Sequence, residues 1–369
     1  MFFISVLIVS IYFLTLIYFL TGVLKINISQ NVITDCSNGV SVILCVKNGE
    51  SSINNILQDL KKQNYKGEIE FLVVDDNSSD RTKDLIFNFV NSDSRFKYFN
   101  SNQIKDSEFS YKKKALNIGI KNAKFDSLLF TDVDCRVKPN WVKSMTVDLK
   151  NHDYIIGYSS VIPDNSLVSK FQSIDFKMLM LSAAGTTLLG SPLACSGQNQ
   201  SYKKSLFLKV GGFRSIKNLL QGDDSIFLQI CRYKQKIKTK FSLDKNSFVE
   251  AKTHNSLRDF IMQRMRWAGD ANIMWRYNKL FFIIIISTFY VNFLILLLFI
   301  SQKYLFELLI LLLIKFIFEF SIYFVGSNRI LSKINFASFI FWFFLQPLYV
   351  FFMGVLSFFA FRVNWRGSN

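Results

Sequence analysis

Ile69-Glu-Phe-Leu-Val-Val-Asp-Asp-Asn-Ser-Ser-Asp80 sets the architecture of this 369-residue chain. Its apolar, β-branched first half reads as a strand, which stops at Asp75 and Asp76; Asn77-Ser-Ser-Asp80 then offers caps for a helix through Phe89. The same grammar recurs on both sides. Upstream, Ser41-Val-Ile-Leu-Cys-Val46 reads as a buried strand, and Ile53 to Leu60 carries apolar residues at helical spacing. Downstream come a weaker strand at Phe96–Phe99, a helix over Lys112–Ala123 and a strand at Ser127-Leu-Leu-Phe-Thr131. Strands alternating with helices predict an α/β fold, with a mostly parallel sheet covered on both faces. Ligands of such sheets bind outside the carboxyl ends of the strands.

Two of these strands end in acids. Asp132-Val133-Asp134 follows Thr131, and in extended chain residues two apart project to one side. Carboxylates held together repel at neutral pH unless a cation lies between them. Mg²⁺ takes one or two carboxylates plus substrate phosphates. The pattern suits a divalent-metal diphosphate site; a solvated turn with Asp caps is the alternative that these three residues leave open.

The chain has 44 Lys+Arg against 27 Asp+Glu, a net +17, yet half of it is hydrophobic and 40 residues are Phe. That composition excludes a disordered chain. Charge and apolar sequence are segregated. Met1–Leu24, Leu280–Gln302 and Ile334–Phe361 are uncharged, and Tyr304–Val325 is apolar but for Glu307, Lys315 and Glu319. Each run is long enough to cross a hydrocarbon core, which takes about 20 helical residues. Residues 280–369 carry net +4, which leaves +13 in residues 25–279. The predicted plan is an anchor at 1–24, a basic, water-facing domain at 25–279 and a membrane region with about three helices at 280–369. The first run lacks a basic n-region and exceeds a signal-peptide core, so a retained anchor is expected rather than a cleaved leader. Three crossings after a cytoplasmic domain would leave Arg362 and Arg366 outside, against the positive-inside tendency, unless one run is re-entrant or Pro347 breaks the last.

Five cysteines (Cys36, Cys45, Cys135, Cys195, Cys231) form no CxxC, and only His152 and His254 are present. A disulfide framework, a zinc centre and a His-based nucleophile triad are therefore poorly supplied. Any metal would be held by carboxylates, as Mg²⁺ or Mn²⁺. There is no GxxxxGK[ST], and no GxGxxG follows the first strand, which argues against P-loop and dinucleotide-binding chemistry.

Six motifs occur in order: Val42–Glu50, Val73-Val-Asp-Asp-Asn-Ser-Ser-Asp80, Lys112-x-x-Ala-Leu-Asn117, Asp132-x-Asp134, Gly222-Asp-Asp224 and Gln263-x-x-Arg-Trp267. Each alone is weak. Together they resemble the family 2 inverting glycosyltransferases, in the membrane branch that holds cellulose, hyaluronan and chitin synthases, ceramide glucosyltransferase and bacterial lipid glycosyltransferases. Asn364-Trp-Arg-Gly367 is similar to a piece that follows the last helix of that branch.

The resemblance implies a glycosyltransferase A fold and a nucleotide-sugar donor, UDP-linked by expectation. By the same resemblance Asp76 contacts the base with Asp75 beside it, and Glu50 lines that pocket. Lys112 lies near the donor, Asp132 faces the donor sugar and ribose, and Asp134 holds the metal on the diphosphate, with Asp132 as its neighbour in the metal site. The base that deprotonates the acceptor is the last acid of a Glu-Asp motif. Here Asp224 aligns with it, and Asp223 replaces the usual Glu. Both acids could instead simply cap a helix. Gln263, Arg266 and Trp267 fall on one helical face and would bind acceptor or diphosphate; an interfacial helix is the plainer reading of the same residues.

Other features read as structural. Lys234, Lys236, Lys238 and Lys240 alternate as a strand with one basic face, an edge blunted by lysine. Nucleic acid is not expected as a partner, for want of an aromatic stacking set. Phe171–Leu189 fits an interfacial helix or core packing, and the histidines read as surface or packing residues. Lys315 and Glu319 are four apart within a membrane run and can pair. They either line a path for a lipid or glycan or only fix packing.

The expected activity is metal-dependent, inverting hexosyl transfer to a lipid or lipid-linked glycan. The expected location is the bacterial inner membrane, with the catalytic domain in the cytoplasm where nucleotide sugars are made. A processive polysaccharide synthase of the same family is the nearest alternative. From other classes, a nucleotidyltransferase would release pyrophosphate instead of a nucleoside diphosphate, and an inactive membrane scaffold would be indifferent to Asp224→Asn.

Overall fold

The computed structural model describes residues 2–28, 37–102, 108–109, 112–254 and 256–362; Cys36, Arg366 and the 364–367 motif lie outside the described residues. Helix α1 (Phe2–Leu24) comes first. The alternating segment follows as β1 (Val40–Val46), α2 (Ile53–Lys61), β2 (Ile69–Asp75), α3 (Thr82–Val90), β3 (Phe96–Asn100), α4 (Lys112–Asn122) and β4 (Ser127–Asp132). Next are β5 (Cys135–Arg136), α5 (Trp141–Lys150), β6 (Tyr154–Gly157), β7 (Ser159–Ile162), α6 (Leu167–Leu188), β8 (Gln200–Lys203) and α7 (Lys204–Val210). The chain continues through α8 (Ser225–Lys234), β9 (Thr239–Ser242), β10 (Val249–Lys252), α9 (Leu257–Met274), α10 (Lys279–Ser301), α11 (Leu305–Arg329) and α12 (Phe336–Leu356). Two compact units result. One holds Ile28–Ser160 and Ala194–Lys252; the other holds Met1–Asn27, Val161–Leu193 and Thr253–Val363. Residues 161–193 and 253–279 of the expected 25–279 domain thus belong with the hydrophobic helices.

The first unit is built on a seven-stranded sheet in the order β3-β2-β1-β4-β8-β6-β9. Every residue of β1 is buried, as a strand covered on both faces requires. Parallel pairings join β1 to β2, β1 to β4, β2 to β3 and β6 to β9; β8 runs antiparallel to β4 and β6. Winding proceeds outward from β1 to β3 and then restarts on the other side at β4. That switch opens a crevice at the carboxyl ends of β1 and β4. The register puts Val46 opposite Asp75 and Cys45 opposite Asp132, so the acidic strand ends converge there.

Two local expectations are corrected. The alternating lysine run becomes strand only at Thr239: α8 extends through Lys234 because Ile226, Phe227, Ile230 and Cys231 bury its apolar face. At the sheet edge, Lys240 pairs with Asp148 at 2.5 Å. The second correction concerns Asp132 and Asp134. β4 ends at Asp132, and Val133–Asp134 form a turn into β5. Buried Val133 anchors that turn, and both acids remain half-buried beside it.

The second unit gathers α1, α6 and α9 to α12. Four helices are long and apolar enough to cross a membrane: Phe3–Leu24, Lys279–Ser301, Leu305–Arg329 and Phe336–Phe359. Helix α6 packs on α1, with most of its length buried. Backbones touch where they meet; a Cβ on Gly22 would lie 2.4 Å from the Gly185 carbonyl carbon. Pro347 does not break the last run, since α12 continues to Leu356, as membrane helices tolerate when neighbours re-satisfy the freed carbonyl. Much of the Phe content is spent here: Phe316 meets Phe343 and Phe339 at 5.3 and 5.9 Å, edge to face.

Lys315 and Glu319 are 0 % and 3 % exposed. Lys315 Nζ donates to Glu319 Oε2 at 2.6 Å and also to Gln346 Oε1. Tyr12 Oη donates to Glu319 Oε1 at 2.9 Å. The pair is thus satisfied by α1 and α12, which favours the packing role over a substrate path. Removing one member strands the other in an apolar unit, a loss of about 3–5 kcal/mol. Thermal unfolding in detergent should show a large drop for Lys315→Met or Glu319→Leu alone, and recovery of most of it in the double variant.

Candidate active site

The loops after β1 and β2 are zipped together. Asn48 and Asn77 both take positive φ, 48° and 59°, a conformation Asn tolerates better than most residues. Asn48 N–H donates to Ser78 Oγ at 2.9 Å, and Asn48 Oδ1 accepts from Ser79 N–H at 2.9 Å. Glu50 pairs with Arg81 at 2.7 Å, and Gly49 N–H donates to Thr82 Oγ1 at 2.8 Å. An open cavity of about 620 Å³ lies over this seam, lined by Asn48, Glu50, Ser51, Asn54, Asp80 and Arg81, with Leu85 beside them.

The two acids at the end of β2 have different tasks. Asp75 is 1 % exposed; its carboxylate accepts from Ser78 N–H at 2.9 Å and Tyr98 Oη at 3.0 Å. It therefore holds the β2–α3 turn together. Asp76 is half-buried and accepts from Ser101 Oγ at 2.6 Å, which leaves it the more accessible of the two.

At the crevice, Lys112 Nζ from the first turn of α4 lies 2.8 Å from Asp132 Oδ1 and 3.3 Å from Asp223 Oδ2. Burial works against that ammonium, but Asp132 and Asp223 outweigh it and hold the lysine well above its ordinary pKa. Asp224 follows directly. Its carboxylate accepts from Ser225 N–H at the start of α8 and from Gly197 N–H at 3.2 Å. Burial, then the charge of Asp223, push its pKa up to about 6, against the N–H of Ser225, the charge of Lys112 and the N–H of Gly197. Asp224 is thus a cap and a carboxylate poised near neutrality, two roles that coexist.

Several residues that build this site carried no assigned role in the sequence. A Cβ on Gly197 would lie 3.3 Å from Lys112 Nζ, 3.6 Å from Asp223 Oδ2 and 3.7 Å from Asp224 Oδ2; its bareness lets the backbone approach the charges. Gln200 Nε2 donates to the Asp223 carbonyl at 3.2 Å, and Ser225 Oγ to the Cys195 carbonyl at 2.9 Å. Asn199 accepts from Trp141 Nε1 and donates to the Tyr158 and Ser247 carbonyls, at 3.0, 2.9 and 2.7 Å. Cys195-Ser-Gly-Gln-Asn199 is thus the brace behind Gly222-Asp-Asp224. Only its Gly, followed by two amide side chains, hinted at a backbone-approach site.

No group of three or more His, Cys, Asp or Glu side chains suited to a metal occurs among the described residues. Lys112 already supplies a cation to Asp132. Asp134 and Asp132 are the carboxylates of this turn that could hold a hard divalent ion, which takes one or two protein carboxylates and completes its shell with diphosphate oxygens.

Gln263, Arg266 and Trp267 belong to the membrane-helix unit, where all three are half-buried on α9. The buried arginine of this segment is Arg264, which the motif skips. It is 4 % exposed, lies 3.2 Å from Asp175 Oδ2 and stacks 4.2 Å from the Trp267 ring. Trp342 Nε1 donates to Asp175 Oδ1 at 3.3 Å.

Fold and site together define a glycosyltransferase of the nucleotide-sugar-dependent GT-A class, with membrane helices. The sequence matches the model of Glycosyl transferase family 21 over residues 4–369, and the chain belongs to that family. It is 28 % identical to the poly-beta-1,6-N-acetyl-D-glucosamine synthase of Staphylococcus aureus over 193 residues, 51 % of this chain and 45 % of that protein. The Staphylococcus epidermidis enzyme of that name is 26 % identical over 178 residues, 47 % of this chain and 41 % of that one. The chain thus matches less than half the length of these curated relatives. Among solved structures, the mannosyltransferase PcManGT from Pyrobaculum calidifontis, in complex with GDP-Man and Mn²⁺, aligns with TM-score 0.58 at 14 % identity over 99 % of both chains. These findings support the family 2, membrane-branch resemblance and the GT-A fold.

Asp224 makes stability pH-dependent in a defined direction. Its folded pKa, about 6, exceeds the ordinary 3.8. Its contribution is therefore present below the unfolded value and lost as pH rises through the folded one. Relative to wild type, Asp224→Asn should gain up to about 3 kcal/mol between pH 4 and pH 8. Denaturation midpoints across that range check it; a flat difference would refute the shifted carboxylate.

Proposed function

We propose that this chain catalyses inverting transfer of a sugar from a nucleotide diphosphate donor, UDP-linked, to a hydroxyl of a lipid or lipid-linked glycan. The observation that carries the proposal is the Asp132–Lys112–Asp223 bridge lying directly beside Asp224. Inversion needs no protein nucleophile. It needs a base on the acceptor side and positive charge on the leaving diphosphate. Asp224, ionised above about pH 6, accepts the proton of the attacking hydroxyl. Burial, and then the charge of Asp223, raise that basicity, and Asp223 shares Lys112 with Asp132. Lys112 offers its ammonium to the departing diphosphate. Asp76 faces the base of the donor, with Asp75 fixing its turn and Glu50 edging the pocket; Asp132 faces ribose and donor sugar. Asp134, with Asp132 beside it, would hold Mg²⁺ or Mn²⁺, which when bound would neutralise charge on the diphosphate. Gln263, Arg266 and Trp267 bind acceptor or diphosphate. The catalytic face lies on the cytoplasmic side of a bacterial inner membrane, where nucleotide sugars are made.

A second reading, a processive polysaccharide synthase, is favoured by the names of the staphylococcal relatives. Product length separates the two.

Membranes containing the protein, offered a panel of nucleotide sugars with Mg²⁺ or Mn²⁺, should release a nucleoside diphosphate from one donor. Asp224→Asn and Asp134→Ala should each lower that rate by on the order of 100-fold or more. Pyrophosphate release, or full turnover by Asp224→Asn, would overturn the proposal. The rate should also fall below about pH 6 as Asp224 protonates, and Asp223→Asn should move this acid limb to lower pH, because the neighbouring charge that raises Asp224 is gone. An unmoved limb would assign the ionisation to another group.

A further inference from the structure

We propose that Lys113 is a positioning residue that aims the Asp223–Asp224 loop; the inference rests on the glycosyltransferase reading of that loop. Lys113 is 0 % exposed, among the largest fully buried side chains. It sits next to Lys112 on α4, and successive helical residues point about 100° apart. Lys112 therefore serves the Asp132 and Asp223 carboxylates while Lys113 turns elsewhere. Lys113 Nζ donates to the backbone carbonyls of Leu219 and Gln221, the latter at 3.0 Å. Gln221 immediately precedes Gly222, and Leu219 lies three residues before it; the φ of 101° at Gly222 makes the sharp corner into Asp223 and Asp224.

The corner is braced from its other side by Gly197 N–H on Asp224, Gln200 Nε2 on the Asp223 carbonyl and Ser225 Oγ on the Cys195 carbonyl. Residues 217–221 belong to no helix or strand, so they lack a ladder of their own. Lys113 supplies what a ladder would: two carbonyls held to a rigid helix at one end of the corner. A buried ammonium is costly unless its donors are satisfied, so burial at this point makes sense where the loop needs a fixed post. The same helix turn thus places the cation of the site through Lys112 and the loop that carries the base through Lys113. A displacement of about 1 Å in a catalytic group can cost on the order of 100-fold in rate. The clamp acts on the Leu219 and Gln221 carbonyls, so donor affinity should be largely spared.

The test is steady-state kinetics and a pH–rate profile of full-length Lys113→Met and Lys113→Gln in membranes, with Asp224→Asn in parallel and thermal unfolding as the fold check. Expected for Lys113→Met are a kcat lower by about 10- to 100-fold, a donor KM within about twofold of wild type, and an acid limb displaced from its wild-type pH. Lys113→Gln, which keeps an N–H donor, should recover part of kcat. A wild-type kcat and profile in Lys113→Met would overturn the inference, as would a rise in KM alone. Failure of both variants to fold would also overturn it, because a positioning residue is dispensable for the fold. Full turnover by Asp224→Asn would instead sink the functional reading itself, a result that the Lys113 variants alone cannot produce.

Discussion

A single ammonium organises the catalytic unit. Lys112 Nζ lies within 2.8 and 3.3 Å of Asp132 and Asp223, carboxylates that are 91 residues apart in the sequence. Without that cation three acids, Asp132, Asp223 and Asp224, would share one crevice, and like charges at such range do not stay ionised together. The sheet supplies the reason they meet. β1 and β4 are parallel neighbours at the switch in winding, α4 leads into β4, and α8 begins at Asp224. The lysine sits where the end of β4 and the start of α8 converge, with its charge held up by the acids it joins.

The same economy of charge appears in the membrane-helix unit, with different partners. Arg264 is paired with Asp175 and stacked on Trp267, and Lys315 is paired with Glu319. Removing both charges from water is costly, and a pair is tolerated only when its remaining donors and acceptors are met. Lys315 and Glu319 meet that condition through Tyr12 and Gln346. The Arg264–Asp175 pair meets it only in part. Asp175 faces Arg264 and accepts from Trp342, Arg264 leans on the Trp267 ring with its Nε and Nη1 buried without a hydrogen-bond partner, and burial pushes the pKa of Asp175 up. Such pairs specify which helices pack together, since apolar faces in lipid discriminate poorly among partners.

Much of the fold was legible because its signals are local. β1, β2 and β4 are runs of branched apolar residues, and the helices between them carry apolar residues at a 3.6-residue period. The ends differ where tertiary burial overrode a local pattern. Lys234 belongs to α8, although its run alternates like a strand, because the apolar face of α8 is buried. Asp134 lies in a turn, although DxD reads as extended, because buried Val133 anchors the chain there. Pro347 leaves α12 intact because neighbouring helices enclose it.

Residue types and spacing, by themselves, determined the alternating α/β plan, the hydrophobic segments and the acids at the strand ends, because each depends on neighbours in sequence. Only the tertiary structure decided which acids share a cation, that Asp75 holds a turn while Asp76 stays half-buried and the more accessible of the two, and that Gly197, Gln200 and Lys113 brace the corner at Gly222. Those are contacts across long stretches of chain, made by backbone carbonyls and N–H groups that look alike in every sequence. Their energy depends on distance and burial, and neither quantity exists until the sheet has brought the loops together.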